Sequence, residues 1–315
     1  MAALGLIALL PRALGTSWNP VRAVLGALSA RDLAILTVLW LVGLLSYSAV
    51  LTSSLPGLST RRAMLLNLSG SAVANVAPFG GAAGVGMNFA MVRSWRFSPA
   101  SFATFTAVTN LWNCLGKLVL AVLVLGSLML GDSLPEGALL TALRVALLAV
   151  TGVLLAAVSI LVVRSGATSL GRLLDRVVWF RRTTFATSVP ALRTATVSVV
   201  RRRWVQLTGG MAGYLALQAV LLGACLHLLG SDLAVPVVLA GFAAERLITL
   251  LPVTPGGAGL ADAACAGVLV ALGGDPVVVA AAVVLYRGFT YLLEIPVGGI
   301  GILGWVLIRR RRQAT

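Results

Sequence analysis

Apolar residues in this chain come in long uninterrupted runs, and the polar positions are gathered between them. A helix needs about 20 apolar residues to cross a hydrocarbon core, whereas a barrel strand alternates, so the pattern predicts transmembrane helices. Leu33 to Leu51 is the first full run. Met1 to Leu10 is about half a span and stops at Pro11 and Arg12; without a basic start it reads as an abbreviated or interfacial helix rather than a signal peptide. Ala63 to Val92 is apolar, but Ala77-Pro78-Phe79-Gly80-Gly81 divides it into arms of about 15 and 11 residues, roughly 22 and 16 Å of helix. Neither arm spans alone, and Arg61 and Arg62 flank one end while Arg93 and Arg96 flank the other. With both ends on one face, the segment is a re-entrant hairpin whose tip, Pro78, Gly80 and Gly81, lies in the bilayer interior.

Pro99 to Leu130 crosses once and ends in an acidic turn holding Asp132 and Glu136; Ala138 to Val163 crosses back. The polar stretch Arg164 to Trp204 carries nine arginines against the single acid Asp175 and reads as a cytoplasmic loop. Val205 to Gly230 returns outward. Pro236 to Gly273 is broken by Leu251-Pro252-Val253-Thr254-Pro255-Gly256-Gly257-Ala258-Gly259, a second hairpin with its tip at Pro255, Gly256, Gly257 and Gly259. Val277 to Ile308 crosses inward and Arg309 to Arg312 come after it. The fold class is therefore all-α: one polytopic transmembrane bundle with two broken hairpins. Repeat one covers about 33–131, a linking helix 138–163, the Arg-rich loop 164–204 and repeat two about 205–308.

Composition agrees: 59% of the 315 residues are hydrophobic and 10% charged. The formal charge of +15 is carried by arginines between and after the runs, the positive-inside signature, and not by a nucleic-acid-binding surface. It places both termini in the cytoplasm, with Arg12, Arg22 and Arg31 as exceptions to the charge asymmetry. Cys114, Cys225 and Cys265 lie in apolar runs and His227 is the lone histidine, so neither a disulfide framework nor a metal site is expected.

A shift of 177 residues sets Pro78 on Pro255, Gly80 on Gly257 and Pro99 on Pro276. Three crossings separate the two broken segments, so the first hairpin opens inward and the second outward. That predicts an inverted-topology repeat with broken helices meeting near the midplane. Seven ionisable residues fall inside apolar runs: Lys117, Arg144, Glu245, Arg246, Asp262, Arg287 and Glu294. Each costs about 2.5–3.5 kcal/mol at a helix centre, so all but Arg144, which is placed to snorkel, need partners or a cavity. Asp262, near a helix N-terminus, is expected to pair with Arg287 or Arg246. Arg287 and Glu294 are expected on one face with Tyr291 between them. Under the shift Asn110 falls on Arg287 and Lys117 on Glu294, giving the first repeat a polar stripe of Asn110, Asn113 and Lys117. Asn67, Asn75 and Asn88 can join that stripe or bond backbone freed at the turn. No nucleophile elbow, Walker loop or metal-ligand motif is present in the sequence.

The stretch Glu245-Arg246, Leu251 to Asp262, Gly273 and Leu285-Tyr286-Arg287 resembles the flippase-like transmembrane domain of lysylphosphatidylglycerol synthases, and Asn75-Val76-Ala77-Pro78-Phe79-Gly80-Gly81 is similar to that family's upstream signature. The resemblance runs from about Leu33 to Ile308 and implies a bacterial inner-membrane protein that moves a lipid or lipid-linked headgroup between leaflets. Asp262 stands where the family usually has Glu, and Asn110 where an arginine is common. The synthases' soluble aminoacyl-transfer domain has no counterpart here, so no enzymatic activity is expected.

On this reading Arg246 and Arg287 attract an anionic phosphate, balanced by Asp262, Glu245 and Glu294, with Tyr291, Asn110, Asn113 and Lys117 completing the headgroup path. The expected partners are a membrane lipid substrate and anionic phospholipid headgroups at the Arg-rich loop. An envelope-synthesis enzyme is a further possible partner; nucleic acid and cofactors are not expected. The alternative is a scaffold subunit for a lipid or envelope-glycan synthase that transports nothing; a small-solute carrier is a further rival.

Overall fold

The computed structural model describes residues 10–77, 80–130, 138–162, 185–250 and 259–314. The expected tip residues Pro78, Pro255, Gly256 and Gly257, the acidic turn and the first half of the Arg-rich stretch lie outside them. The elements, in order, are helices α1 (Trp18–Gly26), α2 (Ala30–Ser54), α3 (Thr60–Val76), α4 (Gly80–Ser94), α5 (Pro99–Leu130) and α6 (Ala138–Val162). They continue with α7 (Phe185–Leu228), α8 (Val235–Ile248), α9 (Leu260–Ala271), α10 (Pro276–Arg287), a π-helical turn (Gly288–Leu292) and α11 (Glu294–Ala314). Among the described residues four helical stretches are long and apolar enough to cross a membrane: Ala30–Ser54, Pro99–Met129, Ala191–Leu228 and Pro276–Arg311. This is an all-α polytopic membrane protein.

Local chemistry sets the helix starts. Ser29 and Asp32 cap α2 reciprocally, Ser59 accepts from the Arg62 amide at the head of α3, and Asp275 accepts from the amides of Val277 and Val278 ahead of α10. The two broken segments are antiparallel helix pairs. At α3 and α4, a methyl on Gly80 would lie 1.8 Å from the Ala74 carbonyl, and one on Gly84 2.7 Å from that of Gly70. Only hydrogen at these positions lets the arms meet. At α8 and α9, Gly241 lies against Leu269 and Cys265. The arms of 17, 15, 14 and 12 residues are each at most roughly 25 Å long, short of a full crossing.

Two expectations are corrected. The stretch read as a loop to Trp204 is helical from Phe185 up to a break at Arg203 (φ −133°, ψ 18°), beyond which the next span follows as a second helix, the two together forming α7. Polarity alone does not stop a helix. The last crossing is not one regular helix: the Leu293 amide reaches back to the Gly288 carbonyl. One turn further on stands Pro296, which has no N–H to give and whose ring crowds the preceding turn, and a π-turn is a common accommodation.

Packing alternates between the halves. The central contact is α2 on α7. The first hairpin's α3 lies on α11, and the second hairpin's α8 lies on α5; α1 lies on α10, and α6 lies on α5. The N-terminal segment is therefore integral: Leu10 and Val21 are buried in the main core with Leu36, Leu222, Phe242 and Val283. A second core, around Leu66, Met91 and Phe105, fills the space between α2, α3, α4 and α5.

Candidate functional site

The second hairpin carries Glu245 and Arg246 on the last turn of α8 and Asp262 on the first turn of α9. Gly259, at φ 88°, takes the left-handed conformation that a side chain resists, and this aims its N–H at Asp262 Oδ2, 2.8 Å away. The other carboxylate oxygen, Oδ1, accepts from Arg287 Nε at the end of α10. Arg287 Nη2 also stands 3.2 Å from Glu245 Oε1, and Glu245 is at the same time the acceptor for Arg246 through both Nη2 and Nε. The four side chains are 1%, 8%, 1% and 4% exposed for Glu245, Arg246, Asp262 and Arg287. Charges this buried persist only when paired, and here one carboxylate serves two guanidinium groups.

Uncharged polar groups extend the cluster. Arg246 Nη2 donates to Tyr286 Oη at 3.1 Å, and that hydroxyl donates to Gln218 Oε1 at 3.2 Å. Arg246 also lies 5.0 Å from the centroid of Phe242. Tyr214 reaches Gln218 from the preceding turn of α7 and packs against Tyr47 of α2, the rings tilted by 40° with centroids 4.8 Å apart. Lys117 of α5 donates to Thr249 Oγ1 at 3.0 Å, and Thr249 in turn donates to the Arg246 carbonyl at 2.7 Å. The contact between α5 and α8 thus carries a buried ammonium.

Glu294 and Tyr291 do not join this cluster. The π-turn inserts an extra residue between Arg287 and Glu294, rotating the downstream helix by about 100°. Arg287 therefore meets the second hairpin, while Glu294 lies against Ser71 of α3 and Trp40 of α2. Tyr291 and Asn75 form a reciprocal staple: Tyr291 Oη donates to the Asn75 carbonyl at 2.7 Å, and Asn75 Nδ2 to the Tyr291 carbonyl at 3.3 Å. Of the polar stripe on α5, Lys117 reaches the ionic cluster, Asn113 keeps a buried amide oxygen, and Asn110 lines a separate cavity with Asn67 and Asn88. Of the expected tip glycines, Gly80 is buried in arm contact and Gly81 faces open space.

Tyr286, Gln218, Thr249 and Tyr214 were given no role by sequence reasoning. The available signal was weak: each is an uncharged polar group within an apolar stretch, one of them adjacent to Arg287. Among the described residues, no three Asp, Glu, His or Cys side chains gather in a way that would hold a metal ion. The cluster can exchange charge-assisted hydrogen bonds with an anion that displaces Glu245 or Asp262 from an arginine.

Comparison with known families gives one that matches nearly the whole chain, described as the lysylphosphatidylglycerol synthase TM region and covering residues 1–298. No curated protein matches. The residues that carry the ionic cluster, from Glu245 through Arg287, all fall within that span, and the chain belongs to the family of lysylphosphatidylglycerol synthase transmembrane regions, whose function is related to membrane lipid.

Proposed function

We propose that this protein moves a lipid headgroup bearing an anionic phosphate between the leaflets of a bacterial cell membrane, without enzymatic chemistry of its own. The observation that carries the reading is the shared carboxylate: Glu245 accepts hydrogen bonds from Arg246 and stands in ion-pair distance of Arg287, 3.2 Å from its Nη2, where α8, α9 and α10 converge. A phosphate that takes the place of Glu245 gains two guanidinium partners at once, and the ionic cluster becomes its binding site. Alternating access would come from an inverted repeat with both termini in the cytoplasm. The support is the reciprocal packing, each hairpin's first arm lying on the last crossing of the other half.

The test is translocation of fluorescent phosphatidylglycerol in proteoliposomes. Arg287→Ala leaves Asp262 unpaired, so it is accompanied by Asp262→Asn/Arg287→Met, which removes the pair as a neutral unit and is expected to preserve folding. Both are expected to lose translocation at least about tenfold, the loss of one charge-assisted hydrogen bond or more. Native rates in the folded double variant would overturn the proposal.

A scaffold role has one favourable observation. The part of α7 beyond the break at Arg203 is by itself long enough to cross a hydrocarbon core, so the turns before it stand outside with Arg201, Arg202 and Arg203 exposed. That basic stem suits anionic headgroups or an acidic envelope-synthesis partner. Neutralising these arginines would release such a partner and leave lipid translocation intact.

A further inference from the structure

Where the second half of the molecule holds ions, the first half holds a cavity. Under the 177-residue shift Arg287 corresponds to Asn110, and Asn110 lines a space of about 140 Å³ together with Tyr47, Asn67, Asn88, Thr106 and Thr109. The remaining walls are Leu, Val and Phe, and no charged side chain lines it. The volume admits several waters or one small polyol.

Two of the lining side chains spend a donor on the backbone of their own helix. Thr109 Oγ1 donates to the Phe105 carbonyl at 2.9 Å, and Asn110 Nδ2 to the Thr106 carbonyl at 2.9 Å. Asn88 differs: its Oδ1 is buried and accepts no hydrogen bond. Its amide sits over Gly70, where an added methyl would lie 2.7 Å from both the amide nitrogen and oxygen, so a glycine on the facing arm makes the room. An acceptor buried without a donor costs about 1–3 kcal/mol, a deficit that a bound donor removes.

The lining selects the donor. An ammonium would be desolvated with no carboxylate beside it, and a phosphate would find no guanidinium or ammonium on the wall. An acyl chain would leave Asn88 Oδ1 unpaired. A hydroxyl both donates and accepts, which is what carboxamide and threonine side chains match. We infer that this cavity binds the hydroxyls of an uncharged polyol headgroup, leaving the lipid phosphate outside it. The inference rests on the headgroup-transport reading for its physiological sense and names the class of headgroup.

The test measures binding in the absence of transport. Full-length protein in detergent is incubated with dioctanoyl phosphatidylglycerol, dioctanoyl phosphatidylinositol or dioctanoyl phosphatidic acid, and retained lipid is quantified by native mass spectrometry. The two hydroxyl-bearing headgroups are expected to bind about tenfold tighter than phosphatidic acid, the worth of one well-made hydrogen bond. Asn88→Leu should erase the preference without weakening phosphatidic acid binding. Thr106→Val, which keeps volume and removes a hydroxyl, should reduce it and decides the matter if Asn88→Leu fails to fold. Equal retention of all three lipids, or a preference unchanged in the folded variants, overturns the inference. Proteoliposomes that move no lipid would remove the transport reading alone, since the binding preference still decides the cavity.

Discussion

Glu245 is the one residue in the ionic cluster that pairs with two cations. Its loss leaves Arg246, 8% exposed, without a carboxylate, while Arg287 keeps Asp262. Glu245→Gln is therefore expected to destabilise the protein by about 3–5 kcal/mol, the usual result of leaving buried charge uncompensated. Lys117 is the contrast, since its hydrogen bond goes to a neutral hydroxyl, that of Thr249. Lys117→Met removes a desolvated charge and strands none, so its effect is expected to stay within about 1 kcal/mol. Unfolding midpoints in detergent check both, and a larger loss in Lys117→Met would reverse the assignment. The sequence identified every one of these charges, because an ionisable residue inside an apolar run is anomalous on its own. It left Asp262 between two arginines, since the choice of Arg287 depends on how α9 faces α10. Gln218 and Thr249 escaped notice because a neutral polar residue carries no comparable cost in a run of the same kind.

Between elements, the contact of α3 with α11 is closest at Gly298, with Gly301 also facing α3 against Leu65. A methyl on Gly298 would lie 2.1 Å from the Leu68 carbonyl and 2.7 Å from the Ala72 side chain, whereas one on Gly299 meets nothing within 4 Å. Gly298→Ala must push the first hairpin off the last crossing and is expected to cost several kcal/mol; Gly299→Ala is expected to be neutral or slightly stabilising, about 1 kcal/mol at most. Thermal unfolding of the two variants side by side checks this, and equal midpoints would mean the helices are not so closely apposed. Tyr291→Phe should lower stability by about 1 kcal/mol by removing the hydroxyl that donates to the Asn75 carbonyl on the same hairpin. The spans and both hairpins were legible from run length and from Pro and Gly, because lipid admits few alternatives to a helix. The face of Glu294 was not legible: it depends on a π-turn, which costs one residue of register and leaves no periodicity long enough to read.

For the whole molecule, the reciprocal contacts constrain topology more tightly than charge counting does. α3 lies on α11 and α8 on α5, and the charges that reach across are opposite in sign: Glu294 against Ser71 on the first hairpin, Lys117 against Thr249 on the second. Under the 177-residue shift Lys117 falls on Glu294, and each of the two contacts the hairpin of the other half. Outside these contacts α1 packs on α10 and α6 on α5. If the hairpins open to opposite faces, the crossings α2, α5, α6, α7 and α10 with α11 put Ser59 and Arg310 on one side and Ser231 and the exposed Asp275 on the other. Single cysteines at these four positions, in a background lacking Cys114, Cys225 and Cys265, should label with a membrane-impermeant maleimide in two opposed pairs in intact cells and inside-out vesicles. Labelling of Ser59→Cys and Ser231→Cys from the same face would place both hairpins in one leaflet, and a pathway built from two oppositely facing halves would then have no opening on the far side.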